Sequence, residues 1–351
     1  MQRREFLASS LAAAAALAID PLGSEVLAAS SSAAAGSRLI LYLMAQLTGT
    51  DSSSLRSAID TLGPSGFHVV VLSFLQASVV GGDGRGGGKL SLLYNDQAIS
   101  SFLPGIAELL ARLRSGYGTQ KRIQISIGGW GHMPTFAAIR SVGVAAFVRQ
   151  LTEDVIVPLG LDGIDLDLEP QRGGLENWRS VHQEYGSTLV DLTNAYKRLH
   201  PGHLVTHAPI SGLAAEIYVK PAEIPGVHGS LLEATRGSQG NNIDWLNVQF
   251  YEGGQVTDGS IADYYRAKLA GPLSTQRDRF GIEQPLHFLT PTFEPSAKQP
   301  LRFCRETLAA IDARCADLQG ERLNGVALWD YHQIATRVED WAGGLQSALN
   351  G

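Results

Sequence analysis

Short apolar segments alternate with amphipathic segments along most of the chain. The short segments are rich in β-branched residues, which is typical of buried strands. Between them, apolar residues recur three or four positions apart, as they do on one face of a helix, for example from Glu176 to Leu199. The predicted strands are Leu39–Met44, His68–Leu75, Arg122–Ile127, Gly163–Leu168, Leu204–Ala208, Trp245–Phe250, Leu286–Leu289 and Val326–Trp329.

Eight strands that alternate with helices predict an α/β fold, and specifically a single-domain (β/α)8 TIM barrel over residues 38–351. A doubly wound open sheet is the alternative architecture. Such a sheet would normally carry a glycine-rich phosphate-binding turn after its first strand, whereas Met44 is followed by Ala-Gln-Leu-Thr-Gly-Thr. The barrel is therefore favoured, with no internal repeat and no second domain.

The N-terminal residues are predicted to be an export signal. Arg3 and Arg4 form a twin-arginine pair, and the Ala/Leu-rich run after them is about 14 residues long, which is short of the roughly 20 residues that span a bilayer. We expect a signal peptide at 1–28 and a flexible lead-in at 29–37. The protein would then be exported to the periplasm or the medium without a stable membrane anchor, although a leader without a targeting role remains an alternative.

Composition and charge limit the classes of function. Hydrophobic residues make up 44% of the 351 positions and charged residues 18%, so the chain can bury a full core. The formal net charge of −6 lacks the basic patch that nucleic acid would require. Nucleic acid is therefore not expected as a partner, whereas a neutral, sugar-like substrate is compatible with this charge.

The two cysteines are predicted to be buried thiols. Cys304 and Cys315 fall in one helical segment, in which their Cα atoms would lie about 16 Å apart. A disulfide needs less than about 7 Å, so free thiols are favoured over a bridge.

Three acids alternate with apolar residues in the fourth predicted strand. Asp165, Asp167 and Glu169 project from one face of an extended strand, and Ile164 and Leu166 project from the other. Successive carboxyl groups lie roughly 6–7 Å apart, and such close acids repel, so at least one should hold its proton to unusually high pH. Carboxyl groups with separated proton affinities are typical of glycosidases.

The carboxyl ends of all eight strands should meet at one mouth of the barrel, where active sites of this fold are found. Glu169 then lies near Gly129 and Trp130 of the third strand and near Tyr251 of the sixth. Asp330 follows the eighth strand to the same mouth.

Competing interpretations of these segments are weaker. A calcium-binding loop starting at Asp165 would need glycine where Pro170 stands, and a structural salt-bridge strand would need nearby basic residues that are missing. The glycine-rich segment 81–89 departs from a phosphate-binding loop and is predicted to be a mobile loop near the groove. His207 is expected to be a core histidine. No metal and no cofactor are expected.

The motifs resemble those of glycoside hydrolase family 18, the chitinase family. The segment Asp162–Glu169 matches the signature Asp-x-x-Asp-x-Asp-x-Glu of that family. Ser126–Gly129 looks like its Ser-x-Gly-Gly motif, Gln249–Tyr251 resembles its strand-six motif, and Trp329 stands at its strand-eight tryptophan. The resemblance covers most of the chain and implies the branch without an inserted α+β subdomain.

The residues alone leave the mechanism open, because no carboxylate is evidently placed across the sugar from Glu169, although Glu252 and Asp330 could serve. The resemblance implies substrate-assisted catalysis, in which the acetamido carbonyl of the substrate attacks the anomeric carbon. By this resemblance, Glu169 is the general acid and then the base, Asp167 binds the acetamido N–H, and Asp165 shares a proton with Asp167. Tyr251 orients the acetamido oxygen, and Ser126 and Asp162 support the acids. The residues implied to line the sugar site are Gln249, Trp329, Trp130, Tyr42 and Gly129.

The function implied by the resemblance is that of a secreted, monomeric, endo-acting chitinase, a retaining glycosidase that hydrolyses β-1,4 links of N-acetylglucosamine polymers. An endo-β-N-acetylglucosaminidase acting on N-glycan cores would use the same chemistry. A non-catalytic carbohydrate-binding or inhibitor barrel is the alternative from another class, since a fold does not fix a function. Glu252 departs from the asparagine that is often found at this position in the family's shorter-barrel branch.

Overall fold

Eight parallel strands close into a barrel. In order along the chain they are β1 Arg38–Leu43, β2 Val69–Val80, β3 Arg122–Gly128, β4 Gly163–Asp167, β5 Leu204–His207, β6 Trp245–Gln249, β7 Leu289–Phe293 and β8 Gly325–Leu328. Each strand pairs with its neighbours in chain order, and β1 pairs with both β2 and β8, which closes the ring. The predicted TIM barrel is therefore confirmed.

The barrel belongs to a computed structural model that describes most of the chain. The described residues are 38–48, 51–81, 89–99, 102, 105–118, 120–210, 214, 218, 223–237, 240–251, 289–296, 299–319, 323 and 325–350. The export signal and lead-in predicted for residues 1–37, the glycine-rich loop at 82–88 and Glu252 lie outside them.

Two strands differ from the prediction. Within the described residues β7 begins at Leu289, where the predicted strand Leu286–Leu289 ends, and it includes Pro291. Proline lacks a backbone N–H and is unfavourable inside a strand, so the segment around Pro291 was not predicted to be a strand. The second strand continues past Leu75 to Val80, because its outer half pairs with another strand instead of with the barrel.

That outer half of β2 forms a β-hairpin at the barrel mouth. It pairs antiparallel with the strand Lys89–Tyr94, which in turn pairs with the short strand Gln97–Ala98. A separate two-stranded sheet joins Arg236–Gly237 to Gly240–Asn241. Neither hairpin was predicted from the sequence.

Helices cover the outside of the barrel and bury their apolar faces against it. The longest, Leu175–Leu199, follows β4 and buries Trp178, Leu189 and Leu192, as its periodicity predicts. The others are Ser53–Leu62, Ile106–Ser115, Met133–Val142, Val144–Leu151, Val157–Leu159, Leu231–Ala234, Leu301–Gln319, Tyr331–Ile334 and Val338–Asn350, and the π-helix Thr152–Ile156 joins two of them. Among the described residues, no helix is long and apolar enough to cross a membrane.

Both cysteines belong to the helix Leu301–Gln319. Eleven positions along a helix place their Cα atoms about 16 Å apart, which excludes a bridge between them. Cys304 is a free, buried thiol, and burial raises its pKa to about 12. The prediction of a buried thiol is therefore confirmed for Cys304.

The barrel interior changes character from floor to mouth. At the floor, apolar side chains from β1, β2, β6 and β8 pack together: Ile40, Val69, Val71, Trp245 and Ala327, with Tyr42 above them. The layer above is polar and includes Ser126, Asp165, Thr206 and Asn247, all fully buried. This buried polar layer supports the candidate site at the mouth.

Candidate active site

The acidic residues of β4 are placed as their alternation predicts. Asp165 and Asp167 project into the barrel from the strand, and Glu169 follows two residues later at its carboxyl end. Their exposed fractions are 0%, 3% and 6%, so all three carboxyl groups are withdrawn from bulk water. Charged groups are seldom buried in this way unless hydrogen bonds or partners compensate the desolvation.

Asp165 lies at the centre of a ring of donors. Ser126 and Tyr42 donate to its Oδ2 over 2.7 and 3.1 Å, and Thr206 and Asn247 donate to its Oδ1 over 2.6 and 3.2 Å. The strand register explains this ring, because Ser126 of β3 and Thr206 of β5 each lie directly opposite Asp165. Directly paired residues on neighbouring strands face the same side.

Asp167 and Glu169 share one amide. Nε2 of Gln249 lies 3.1 Å from Oδ1 of Asp167 and 3.2 Å from Oε1 of Glu169. The same nitrogen lies 3.1 Å from the carbonyl of Ala208, so the amide is held by β5 as well as by β4. Gln249 therefore fixes the spacing of the two outer acids.

The electrostatics separate the acids. Burial raises the pKa of Asp165 above its usual value, and its four hydrogen bonds offset this rise only in part. Burial also raises the pKa of Asp167 well above its usual value, and the charges of Glu169 and Asp165 and a hydrogen bond with Glu169 raise it further. The proton expected to be shared by Asp165 and Asp167 stays a prediction; these shifts favour protonation of Asp167 over Asp165, whose oxygens already accept four hydrogen bonds.

The two glycines of the β3 motif permit close packing beside the acids. A Cβ atom at Gly128 would lie 2.2 Å from the carbonyl oxygen of Asp167, and one at Gly129 would lie 2.8 Å from the ring of Phe74. Both glycines have positive φ, of 109° and 88°, which L-residues rarely adopt. The N–H of Gly129 donates to the carbonyl of Asp167, and this bond ties β3 to the acidic strand.

Aromatic side chains surround the mouth. Trp329 stacks on Phe74 with centroids 5.2 Å apart and meets the edge of Tyr42 at 5.6 Å. Tyr251 lies two residues after β6 and is half-buried. Burial raises the pKa of Tyr42 well above its usual value, and the charges of Asp165, Asp167 and Tyr251 raise it further. Trp130 is 46% exposed, unlike the buried aromatics of the core.

A groove of about 640 Å³ leads from Trp329 along the hairpin of β2. This volume falls within the range of small-molecule sites. The groove was not predicted, because the hairpin that walls it was missed. Its lining combines aromatic and polar side chains: Met44, Ala45, Gln46, Thr48, Phe74, Gln76, Tyr94, Asn95, Asp96, Gln97, Trp130, His132, Trp329 and His332.

Asp162 does not join the acidic cluster. It precedes β4 at the opposite end of the barrel, where its Oδ2 accepts from Nε of Arg114 over 3.1 Å and from the N–H of Ile123 over 2.9 Å. Arg122 lies 3.6 Å from its Oδ1. The structure therefore does not bring Asp162 together with the three acids: three residues before Asp165 is the other end of a short strand, where Asp162 joins β3 to the helix Ile106–Ser115.

His207 has the structural position predicted for it. It is fully buried and bonded at both ring nitrogens, to Thr193 over 2.8 Å and to Tyr218 over 3.0 Å. Asp330 caps the helix Tyr331–Ile334 by accepting from the N–H of His332 over 2.8 Å. Within the described ranges, no three His, Cys, Asp or Glu side chains are grouped so as to hold a metal ion.

Three residues of the site were missed in the sequence. Thr206 and Asn247 both donate to Asp165, and Trp245 donates to Asn247 over 2.9 Å. The signal that could have found them is the strand alternation, because Trp245 and Asn247 share a face with Gln249. Uncharged donors that no motif includes do not otherwise stand out.

Known structures share this fold. A fungal endo-β-N-acetylglucosaminidase of glycosyl hydrolase family 18 matches with a TM-score of 0.53 at 19% identity, over 89% of this chain and 98% of that one. The family-18 chitinase ChiB from the chitin utilization locus of Flavobacterium johnsoniae matches with 0.53 at 14% identity, over 89% and 94%. The tamarind chitinase-like lectin matches with 0.50 at 14% identity, over 88% and 99%.

The sequence itself matches no protein-family model and no curated protein. At identities below one fifth, the structural likeness establishes the architecture only. The resemblance inferred from the motifs is thus confirmed at the level of the fold: the chain folds as the barrel found in glycoside hydrolase family 18.

Proposed function

We propose that the protein is a retaining glycoside hydrolase that cleaves β-1,4 links between N-acetylglucosamine residues, as in chitin. The observation that carries this proposal is the buried pair Asp167 and Glu169, which share a hydrogen bond and the amide of Gln249 at the mouth of the barrel. A buried acid whose neighbour is also an acid holds a proton to higher pH than usual. Such a proton is what the leaving glycosidic oxygen requires.

Glu169 would act first as the general acid. It is the outermost of the three acids along the chain, it follows the end of β4, and active sites of this fold lie at that end. Its proton would pass to the glycosidic oxygen as the bond to the anomeric carbon breaks. Glu169 would then be a carboxylate, ready to accept a proton from the water that completes hydrolysis.

Asp167 would bind the acetamido N–H of the substrate. Once Glu169 has given up its proton, Asp167 can turn its oxygen toward the sugar and stabilise the positive charge that develops there. Tyr251, just past the end of β6, would orient the acetamido oxygen. Trp329, held between Phe74 and Tyr42, would form the apolar floor under the sugar ring.

Substrate assistance is favoured over an enzyme nucleophile by the position of the acids. Asp165, Asp167 and Glu169 all come from β4 and approach the sugar from one side. A second carboxylate would have to lie about 5 to 5.5 Å away across the sugar. Asp330 was one candidate, but its Oδ1 accepts the N–H of His332 at a helix end. The acetamido carbonyl of the substrate supplies the nucleophile instead.

An endo-β-N-acetylglucosaminidase is the second candidate. The long groove beside Trp329, walled by a hairpin, offers polar side chains for branched sugars as well as for a linear chain. The fungal structural neighbour is named for that activity. A non-catalytic binding barrel, like the tamarind lectin, is the remaining alternative. The intact acid pair favours catalysis over binding alone.

The experiment compares Glu169→Gln with Glu176→Gln on N-acetylglucosamine oligomers. The first change removes the proton donor at nearly constant shape and should lower kcat by about 10² to 10⁴-fold. The second is the matched control, because Glu176 is 88% exposed and pairs only with Arg179 among the ion pairs described. Equal thermal unfolding of both variants would show that the loss is chemical. Near-normal turnover by Glu169→Gln would reject the assignment.

Substrate comparison tests the acetamido group. Chitin oligomers, a high-mannose glycopeptide and cellulose oligomers are incubated with the enzyme, and their products are separated. Cleavage of the first supports a chitinase, cleavage of the second supports the glycan-core enzyme, and cellulose should be inert because it lacks the acetamido nucleophile. Hydrolysis of cellulose would contradict substrate assistance, and binding without cleavage of any sugar would indicate the non-catalytic barrel.

A further inference from the structure

A buried hydrogen-bond chain links the barrel floor to the acidic strand. Nε1 of Trp245 donates to Oδ1 of Asn247 over 2.9 Å, and Nδ2 of Asn247 donates to Oδ1 of Asp165 over 3.2 Å. Trp245 is 2% exposed, and the other two residues are fully buried. Water therefore does not compete for these bonds.

The chemistry of the indole fixes the direction of this chain. An indole N–H can only donate, so the amide oxygen of Asn247 must face Trp245. The amide nitrogen then faces the opposite way, where it also donates to the hydroxyl of Tyr42 over 3.0 Å. The orientation of Asn247 is thus set by a residue that does not touch the acids.

Two hydroxyl groups beside Asp165 are directed to donate to it, and that of Tyr42 follows from the orientation of Asn247. Tyr42 accepts from Asn247, so its single hydrogen is left for Oδ2 of Asp165, 3.1 Å away. Thr206 accepts from Nε2 of Gln124 over 3.3 Å, and its hydrogen goes to Oδ1 of Asp165 over 2.6 Å. Three neighbours of Asp165 are therefore committed as donors, which leaves the carboxyl group as acceptor.

The indole itself is held in place. Trp245 packs with Ile40, Val69 and Ala327 in the apolar floor of the barrel, and the guanidinium of Arg38 lies 4.9 Å from the centroid of its ring. A cation over an indole face is attracted by the ring quadrupole. The donor at the base of the chain therefore has little freedom to turn.

We propose that Trp245 is a positioning residue whose indole N–H orients Asn247, so that Asp165 remains an ionised hydrogen-bond acceptor while the mobile proton stays on the pair Asp167 and Glu169. The catalytic meaning of this proposal rests on the proposed function, but the protonation of Asp165 does not. The indole acts through Asn247 alone and touches no substrate. Its role is to place the proton where the leaving oxygen can receive it.

Other titratable groups lie near Asp165, and their protonation has to be known before its titration can be interpreted. Asp167 lies on the same strand and Tyr42 on β1. Tyr218 also senses the charges of Asp165 and Asp167, which raise its pKa together with burial. The tyrosines stay protonated throughout the acidic range, in which the carboxyl groups titrate. His207, which bonds Tyr218, takes up its proton only near pH 3, because burial lowers its pKa.

The experiment follows the carboxyl carbon of Asp165 by NMR in the full chain labelled with ¹³C aspartate, without substrate. The resonance is identified with Asp165→Asn. In Trp245→Phe the freed amide can turn its oxygen toward the carboxylate, which disfavours the charged form. The titration midpoint of Asp165 should therefore rise by about one pH unit. The acid limb of kcat on chitin oligomers should move in the same direction, with KM unchanged.

Two further variants separate orientation from general damage. Asn247→Leu removes the amide, so adding Trp245→Phe to it should shift the midpoint no further, because the indole acts only through Asn247. Ser126→Ala removes a different donor to Asp165, over 2.7 Å in the native protein, and its effect should add to that of Trp245→Phe. Additive shifts with Asn247→Leu would overturn the proposal.

A measurement without any change at Trp245 covers the case in which Trp245→Phe does not fold. The indole N–H resonance of Trp245 should follow the titration of Asp165 in the native chain and should lose that response in Asn247→Leu. An unchanged midpoint in a folded Trp245→Phe, or an indole resonance insensitive to Asp165, contradicts the proposal. Loss of chitin cleavage with these titrations intact would contradict only the proposed function.

Discussion

At the scale of single residues, the site depends on side chains that are absent as much as on those present. Gly128 lies directly opposite Asp167 in the β3–β4 pairing, and no larger residue fits there. The acids themselves need neutral donors in numbers, and Asp165 has four of them. A cluster of buried acids is thus stable because small residues and uncharged hydrogen-bond donors surround it.

We expect Gly128→Ala to destabilise the fold and to displace Asp167. The new Cβ atom would lie 2.2 Å from the carbonyl oxygen of Asp167, at a φ of 109°. Strain at such a backbone position costs about 1 to 3 kcal/mol, and the overlap adds to it. Urea unfolding measures the loss of free energy.

Gly131→Ala is the matched control for that change. Gly131 has a φ of 80°, but a Cβ atom there meets nothing within 4 Å. It should lose only the backbone contribution, about 1 to 2 kcal/mol. Equal losses in both variants would show that the contact with Asp167 is unimportant.

At the scale of elements, the helix Leu175–Leu199 is fastened to β5 by the buried His207. His207 of β5 bonds Thr193 of this helix over 2.8 Å, and within the helix Nδ1 of His182 donates to the carbonyl of Trp178 over 2.9 Å. Burial lowers the pKa of His207 to about 3 and that of His182 to about 4. Both imidazoles are therefore neutral in the folded protein near neutral pH.

This fastening predicts acid sensitivity. In the unfolded chain the pKa of His207 is about 6.5, so below that pH the unfolded state binds a proton that the folded state refuses. Stability contributed by His207 is complete above pH 6.5 and declines as the pH falls toward 3, by about 2 to 3 kcal/mol at pH 4.5. In His207→Gln this part of the decline should vanish.

The measurement is urea unfolding of the native protein and of His207→Gln at pH 7 and pH 4.5. His332→Gln is the control for the loss of a histidine outside this contact, since the His332 side chain is 60% exposed. If His207→Gln loses as much stability between the two pH values as the native protein, the neutral histidine is not the cause.

Elements were predictable where their periodicity was undisturbed and not elsewhere. The alternation of apolar and acidic residues in β4 fixed both the strand and its inward face, and the periodicity of Leu175–Leu199 fixed its buried stripe. The strand β7 was misplaced because Pro291 interrupts it. The outer hairpin of β2 was missed because Gln76 and Ser78 interrupt the apolar run after Leu75, so the strand was predicted to end there.

At the scale of the whole molecule, the barrel brings distant motifs to one mouth. Tyr42 and Asn247 lie 205 positions apart and still share a hydrogen bond. Closure by pairing of β1 with β8 makes this possible, because strands at the two ends of the chain become neighbours. The fold could therefore be predicted from the order of strands and helices, whereas the contacts across its interior required the register.

Export is the prediction that belongs to this scale. We propose that residues 1–28 direct the protein through a twin-arginine route, and changing Arg3 and Arg4 together to Lys should retain the precursor inside the cell. Cell fractionation, with detection of the protein by size, measures this. Glu5→Gln is the control that should leave export intact, and unimpaired export of the double-lysine variant would contradict the proposal.

Asp162 shows what a shared motif can conceal. It belongs to the same eight-residue signature as Glu169, yet it binds Arg114 and the backbone of Ile123 at the opposite end of the barrel. A relative that keeps the outer glutamate but has lost this aspartate would retain the proposed general acid in a less stable barrel. A relative that keeps the aspartate but has lost the glutamate would have a stable barrel without the proposed general acid. A comparison that treats the signature as a single unit would therefore confuse residues kept for stability with residues kept for catalysis.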